Sequence, residues 1–159
     1  MANSASNDIE TISVSIAVSN LERSKRFYSE GLGFDIGVQQ SFDIPAGSED
    51  AKNMGLPGGA KLSSCFASRE HMRIEMIGFT EPQPYAGDVK PPNRTGLTAL
   101  HFRVTDAQAT ATRLVALGGT LIQQWGAVRC VVADPDGVRI NCAAIPAEAI
   151  KAVFTPAKA

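Results

Sequence analysis

The sequence predicts an α+β fold of two β-α-β-β-β modules, and three observations predict it. A strand-then-helix pattern occurs twice along the 159 residues. Each copy passes through an Asx residue where the helix would begin. Each is followed by a pair of apolar, alternating segments separated by a turn. The length suits one domain, or two small halves around a shared core.

The first copy opens with Ser13 to Asn20, where Val14, Ile16 and Val18 alternate with small or polar residues. The second opens with Ala99 to Asp106, where Leu100, Phe102 and Val104 do the same. A period of two marks a strand with one apolar face. Asn20 and Asp106 are of the type that accepts hydrogen bonds from the unpaired N–H groups of a helix start. The helix after Asn20 carries Leu21, Phe27, Tyr28 and Leu32 and stops at Gly31 or Gly33. The helix after Asp106 carries Ala107, Ala111, Leu114 and Leu117 and stops at Gly118-Gly119, where glycine can adopt the left-handed conformation that closes a helix.

An extended stretch follows each helix, 34–42 in the first module and 120–124 in the second. Residues 61–68 and 71–79 then form a hairpin across Arg69-Glu70. In the second module 128–133 and 138–144 flank Asp134-Pro135-Asp136-Gly137, in which proline presets φ and glycine supplies a positive one. The chain thus divides into module one (10–80), a proline-rich linker (81–95), module two (96–145) and a tail (146–159). The linker contains Pro82, Pro84, Pro91 and Pro92, too many for a helix or central strand. The tail predicts one short helix with Ile150, Val153 and Phe154 on one face, a packing strut or dimer seam. Glycines 55, 58 and 59, in the long loop 44–60, are read either as a flap over a cavity mouth or as plain loop.

Composition excludes several classes of partner. Fifteen Lys and Arg oppose sixteen Asp and Glu, a formal charge of -1, which argues against nucleic acid or an anionic membrane surface. No apolar run approaches the ~20 residues of a membrane span. The polar start of the sequence lacks the features of a secretory leader. Cys65, Cys130 and Cys142 form no CxxC pair, the pattern of reduced thiols in a cytoplasmic protein.

Three segments carry a family resemblance: Val18-Ser19-Asn20-Leu21-Glu22-Arg23-Ser24 with Phe27-Tyr28 and Leu32-Gly33-Phe34; Ile74-Glu75-Met76-Ile77; and Asp134-Pro135-Asp136-Gly137-Val138-Arg139-Ile140. Together they resemble the vicinal oxygen chelate superfamily, which includes glyoxalases, epimerases, extradiol dioxygenases, and fosfomycin and bleomycin resistance proteins. The likeness covers about residues 10–145. It implies that the two modules form a half-open mixed β-barrel around a cavity, with helices outside, and that the protein is a homodimer.

Metal-using members of that family place a His seven residues before the helix-capping Asx of each module, and a carboxylate on each module's last strand. Here those four positions are Ser13, Glu75, Ala99 and Asn141. A hydroxyl or amide oxygen binds such metals weakly and a methyl group not at all. The resemblance therefore implies no standard metal and no cofactor, with an atypical divalent ion at Glu75 left open. His101 shares the cavity-facing parity of Ala99, yet stands two residues, ~6–7 Å, further along the strand.

What remains is a set of polar side chains on one face. Glu75, between Ile74 and Met76, is a candidate catalytic acid or base, or else a carboxylate neutralised by Arg73. His101 is a candidate proton shuttle or carbonyl polariser, or a structural histidine. Arg73, Arg103 and Arg139 are candidate anchors for an acidic substrate, or solvated charges; Ser13 and Asn141 are candidate neutral donors to a ligand oxygen. Two functions follow. One is a glyoxalase-related lyase or isomerase acting on a small carbonyl-bearing metabolite, with Glu75 moving the proton. The other is a metal-free small-molecule binding protein of the bleomycin-resistance kind.

Overall fold

The structure, a computed structural model, describes residues 12–85, 89, 91–93 and 95–154, with side chains as far as Ile150. The chain forms two compact units, one of residues up to Leu21 with Phe34–Pro84, the other of Glu22–Gly33 with the residues from Tyr85 onward.

The first unit is a five-stranded mixed sheet. Strand β1 (Val14–Val18) pairs in parallel with β5 (Met72–Glu81), which pairs antiparallel with β4 (Ala60–Arg69). The far edge of β4 is covered by two short strands, β2 (Asp35–Ile36) and β3 (Gln40–Ile44). The single extended stretch expected over 34–42 is therefore broken at residues 37–39, where the Gly37 N–H still bonds the Phe66 carbonyl at 2.8 Å. One face is apolar and closed: Ile16, Val18, Cys65, Ala67, Ile74 and Met76 are buried. Each large aliphatic side chain so buried contributes about 1.5–3 kcal/mol. The opposite face carries the polar alternates Ser15, Arg73 and Glu75.

The loop after β3 is more ordered than the sequence suggested. It folds helix α2 (Glu49–Asn53), whose start is capped by the Ser48 hydroxyl accepting from the Ala51 N–H at 3.1 Å. Glu49 and Asp50 in the first turn suit the positive end of the helix.

The second unit repeats the sheet plan with four strands. Strand β6 (Leu100–Arg103) pairs in parallel with β9 (Arg139–Ala143), which pairs antiparallel with β8 (Arg129–Ala133), itself paired with β7 (Thr120–Trp125). Helix α3 (Ala107–Ala116) packs on this sheet through Ala107, Thr110, Ala111 and Leu114. Its start is capped as expected, the Asp106 carboxylate accepting from Gln108 and Ala109 N–H at 2.8 and 2.9 Å. Its end passes through Gly118 at φ +95°, and a side chain on Gly119 would stand 2.9 Å from the Leu114 carbonyl. Cys130 and Cys142 oppose each other across β8 and β9 as buried free thiols, and burial pushes Cys142 up to about 12.

Helix α1 (Leu21–Arg26) and the π-helical turn that continues it (Phe27–Gly31) follow β1 in sequence, yet residues 22–33 belong to the second compact unit. Specific contacts place them there. The fully buried Tyr28 hydroxyl donates to Asp134 at 2.9 Å. Asp134 in turn accepts from the Asp136 and Val138 N–H groups at 2.9 and 2.8 Å, closing the predicted turn. Arg23 pairs with Asp136 at 3.1 Å, and the Arg113 guanidinium donates to the Gly31 carbonyl at 2.9 Å. Burial holds the Asp134 carboxyl above its usual range, and burial followed by the Asp134 charge holds Tyr28 well above 10. The tail helix, α4, spans Ala147–Phe154; the side chains of Val153 and Phe154, expected on its apolar face, lie outside those described.

Candidate functional site

On the first sheet the parallel register of β1 and β5 sets Ser15 level with Glu75, and the Ser15 hydroxyl donates to Glu75 Oε2 at 2.7 Å. Glu75 is half-buried between the closed-face residues Ile74 and Met76. Its carboxylate therefore stands on the open face with a hydroxyl fixing its orientation. Arg73, two residues away on the same face, is exposed, and the ion pairs among the described residues do not join it to Glu75. The neutralising role considered for Arg73 is thus not what this geometry provides. Ser13 lies one residue before β1 and is half-buried; extending the register sets it level with Arg73 rather than Glu75. Ser15 was missed in the sequence, although its alternation with Ile16 and its parity with Ser13 would have revealed it.

The second sheet holds a corresponding pair. His101 is level with Asn141 across β6 and β9, and Asn141 Nδ2 approaches His101 Nε2 at 3.5 Å. The Asn141 Oδ1 is buried and has no hydrogen-bond partner among the described residues, an arrangement that favours a donor group coming to it. Arg103 is exposed and level with Ala143; Arg139 is half-buried and level with Ala133. Arg129 of β8 and Trp125 of β7 continue the Arg103–Ala143 row across the sheet. Neither was singled out in the sequence, because their place on this face follows only from the register.

Within the first unit a cavity of about 490 Å3 opens at the loop between β3 and β4, lined among others by Ile44, Pro45, Leu56, Pro57, Lys61 and Glu81. Lys61 and Glu81 form an ion pair at 3.0 Å beside it. None of the residues singled out as catalytic or substrate-binding lines this cavity.

The donor chemistry can be compared with what a metal-using relative needs. Among the described residues no three His, Cys, Asp or Glu side chains gather as a metal-binding group. The first open face supplies one carboxylate and hydroxyls; the second supplies one imidazole and one neutral amide. These donors do not fit a centre of two imidazoles and two carboxylates.

Two mixed sheets, each with a parallel first pair followed by antiparallel strands and an open face that carries polar groups, define the fold class. The sequence family described as the Glyoxalase/Bleomycin resistance protein/Dioxygenase superfamily matches residues 11–142, and the chain belongs to that family. No curated protein matches the sequence. Among solved structures, a glyoxalase family protein from Bacillus cereus is similar at 23% identity and a TM-score of 0.71, over 90% of this chain and 98% of that one. The trypanothione-dependent glyoxalase I of Leishmania major is similar at 21% identity and 0.62, over 91% and 93%. The fosfomycin resistance protein FosX of Mesorhizobium loti is similar at 13% identity and 0.55, over 90% and 97%. At these identities the likenesses establish the fold. Among the described residues no helix is long and apolar enough to cross a membrane.

Proposed function

We propose that this protein is a glyoxalase-related lyase or isomerase that acts on a small carbonyl-bearing metabolite without a metal, with Glu75 as the group that moves the proton. The observation that carries this reading is the 2.7 Å bond from Ser15 to Glu75 on the open sheet face. One carboxylate oxygen is tethered, which fixes the direction in which the other can take a proton from carbon. The electron pair left on that carbon passes to the carbonyl oxygen as an enolate. In an isomerisation the proton returns from Glu75 to a different face or a neighbouring atom; in an elimination the enolate pair expels a group from the adjacent carbon, which leaves with the proton from Glu75. Ser15 is a positioning residue in this scheme. Arg73 lies ~6–7 Å along the same strand face, placed to stabilise developing negative charge by electrostatics. Ser13 belongs to the same row as Arg73. On the second sheet, His101 and Asn141 are proposed as ligand-binding groups. A homodimer and a cytoplasmic, reducing setting belong to the same proposal.

The second reading, metal-free binding without turnover, is favoured by one observation: Ala99 and Asn141 stand where a metal-using relative carries ligands. Proton exchange separates the two. In deuterated buffer, 2-oxobutyrate and 2-oxoglutarate should lose their C3 protons to solvent faster with the protein than without it, followed by NMR. Glu75→Gln should lower that exchange by about 10²–10⁴-fold while leaving ligand binding nearly unchanged. Exchange that is unaffected by the substitution, or absent from the wild-type protein while ligand binds, would favour the binding reading. Elemental analysis showing a stoichiometric transition metal, with activity lost on chelation, would overturn the metal-free assignment.

A further inference from the structure

We propose that the open face of the second sheet is a binding site for a small dianion, a metabolite with two carboxylate or phosphate ends, held by Arg103, Arg129 and Arg139. One row across the sheet runs Arg103, Ala143, Arg129, Trp125; the next runs His101, Asn141, Val131, Gln123; the third contains Arg139 and Ala133. Residues level with one another in paired strands project to the same face, as do residues two apart along a strand. All three arginines therefore share one face, and among the described residues that face carries no carboxylate.

Their spacing suits convergence. Arg103 and Arg129 flank Ala143, ~9–10 Å apart through two interstrand steps, with only a methyl group between them. Arg139 lies on the far side of Asn141, one same-face step of ~6–7 Å from it. Long side chains from both ends can lean over the Asn141 row, so two anionic groups separated by about one such step would each meet a guanidinium. None of the three arginines takes part in an ion pair or side-chain hydrogen bond among the described residues. The arrangement stands out in a chain whose formal net charge is -1. Elsewhere Arg23 and Arg26 have carboxylate partners. Guanidinium groups bind carboxylate and phosphate through paired, charge-assisted N–H bonds. The exposed indole of Trp125, in the same row as Arg129, offers an apolar wall to the ligand's carbon chain.

This inference deepens the function proposed above by naming the charge class of the ligand, and rests on that reading only in taking the open sheet faces as ligand-facing. Its test is binding, which does not require turnover. Calorimetric titration of the full-length protein with 2-oxoglutarate should give saturable binding that weakens as salt is raised. The uncharged dimethyl ester of 2-oxoglutarate should bind at least about ten-fold more weakly. Arg103→Gln, Arg129→Gln and Arg139→Gln should each weaken 2-oxoglutarate binding by about ten-fold or more, whereas Arg69→Gln on the first sheet should not. Tighter binding of 3-phosphoglycerate than of 2-oxoglutarate, lost in the same three variants, would assign one end to phosphate and support the site. Equal affinity for the diester, unchanged binding in the three variants, or no binding of either anion at about 10 mM would overturn it. Failure of Glu75→Gln to alter exchange, with dianion binding retained, would remove the catalytic reading and leave this site standing.

Discussion

In the first sheet Ser15 stands level with Glu75 on paired parallel strands; at the corresponding place in the second sheet His101 stands level with Asn141. Strand order and pairing direction are the same, and the closed faces are both apolar. The open faces are not alike. One holds a tethered carboxylate, the other an imidazole, an amide and three arginines. Closed-face positions are constrained by packing, which tolerates only apolar groups of similar volume. Open-face positions such as Ser15, Arg73, His101 and Arg103 are exposed and carry less of that constraint, so the two copies of one backbone can hold different chemistry.

The largest expected effect breaks that comparison at its centre. Glu75→Gln should reduce C3 proton exchange by about 10²–10⁴-fold, while Asn141→Ala, at the matching place on the second sheet, should leave that exchange unchanged at saturating substrate. Equal losses of exchange from both substitutions, measured at saturating substrate, would mean that the sheets are not divided between proton transfer and binding. Next in size is the buried anchor of the second unit's hairpin turn. Asp134→Ala removes the acceptor for the Tyr28 hydroxyl and for two backbone N–H groups, and should cost about 3 kcal/mol in urea unfolding. Asp134→Asn keeps one oxygen for the two backbone N–H groups, presents an amide N–H that the Tyr28 oxygen can accept in a reversed bond, and removes the cost of burying a charge, so it should lose about 1 kcal/mol or less.

A smaller and pH-dependent effect sharpens the same contrast. Tyr28→Phe leaves one Asp134 oxygen without its hydroxyl donor and should cost about 1–2 kcal/mol at neutral pH. Folded Tyr28 holds its proton well above pH 10, chiefly through burial, whereas the unfolded chain releases it near 10. The raised value means that stability is full below pH 10 and is lost as pH climbs from there toward the folded value, by up to about 1.4 kcal/mol per unit. Cys142, raised to about 12 by burial, adds a loss of the same sign that begins near its lower unfolded value. In Tyr28→Phe the Cys142 component remains and the tyrosine component disappears. Unfolding curves from pH 8 to 11 should therefore fall less steeply in the variant than in the wild-type protein.

The repeat was legible because period-two alternation in residues 14–18 and 100–104 reports one buried face directly, and because Asp106 and the Asp134–Gly137 turn carry their own local chemistry. The hairpin strands, and Glu75 on the open face of β5, were legible for the same reason. The association of residues 22–33 with the second unit was not, since it depends on Tyr28 meeting Asp134, 106 positions later, and no local pattern encodes such a partner. The cap of α2 was overlooked inside a loop rich in glycine and proline, although Ser48 followed by Glu49 and Asp50 is a usable signal. Ser15 as the partner of Glu75, and Arg129 beside Arg103, depend on interstrand register, which a one-residue slip would reverse. Candidate residues were thus visible singly, and their pairings were not.

The smallest predicted effect concerns the two hairpin turns. Between β8 and β9 the connection spends five residues, 134–138, and buries an acid to fix its shape. Between β4 and β5 it spends only Glu70 and His71, with Glu70 at φ 51°. A residue with a Cβ atom in that left-handed region costs about 1–2 kcal/mol relative to its ordinary conformations, and the 3.9 Å contact of Glu70 with Arg69 is an exposed pair that returns little. Glu70→Gly removes the clash and increases the freedom of the unfolded chain by about 0.5–1 kcal/mol. The net should be a stabilisation of up to about 1 kcal/mol in urea unfolding, with dianion binding and proton exchange both unchanged. A destabilisation instead would mean that the Glu70 side chain holds the tight turn as Asp134 holds the wide one, and that the first hairpin has an anchor of its own.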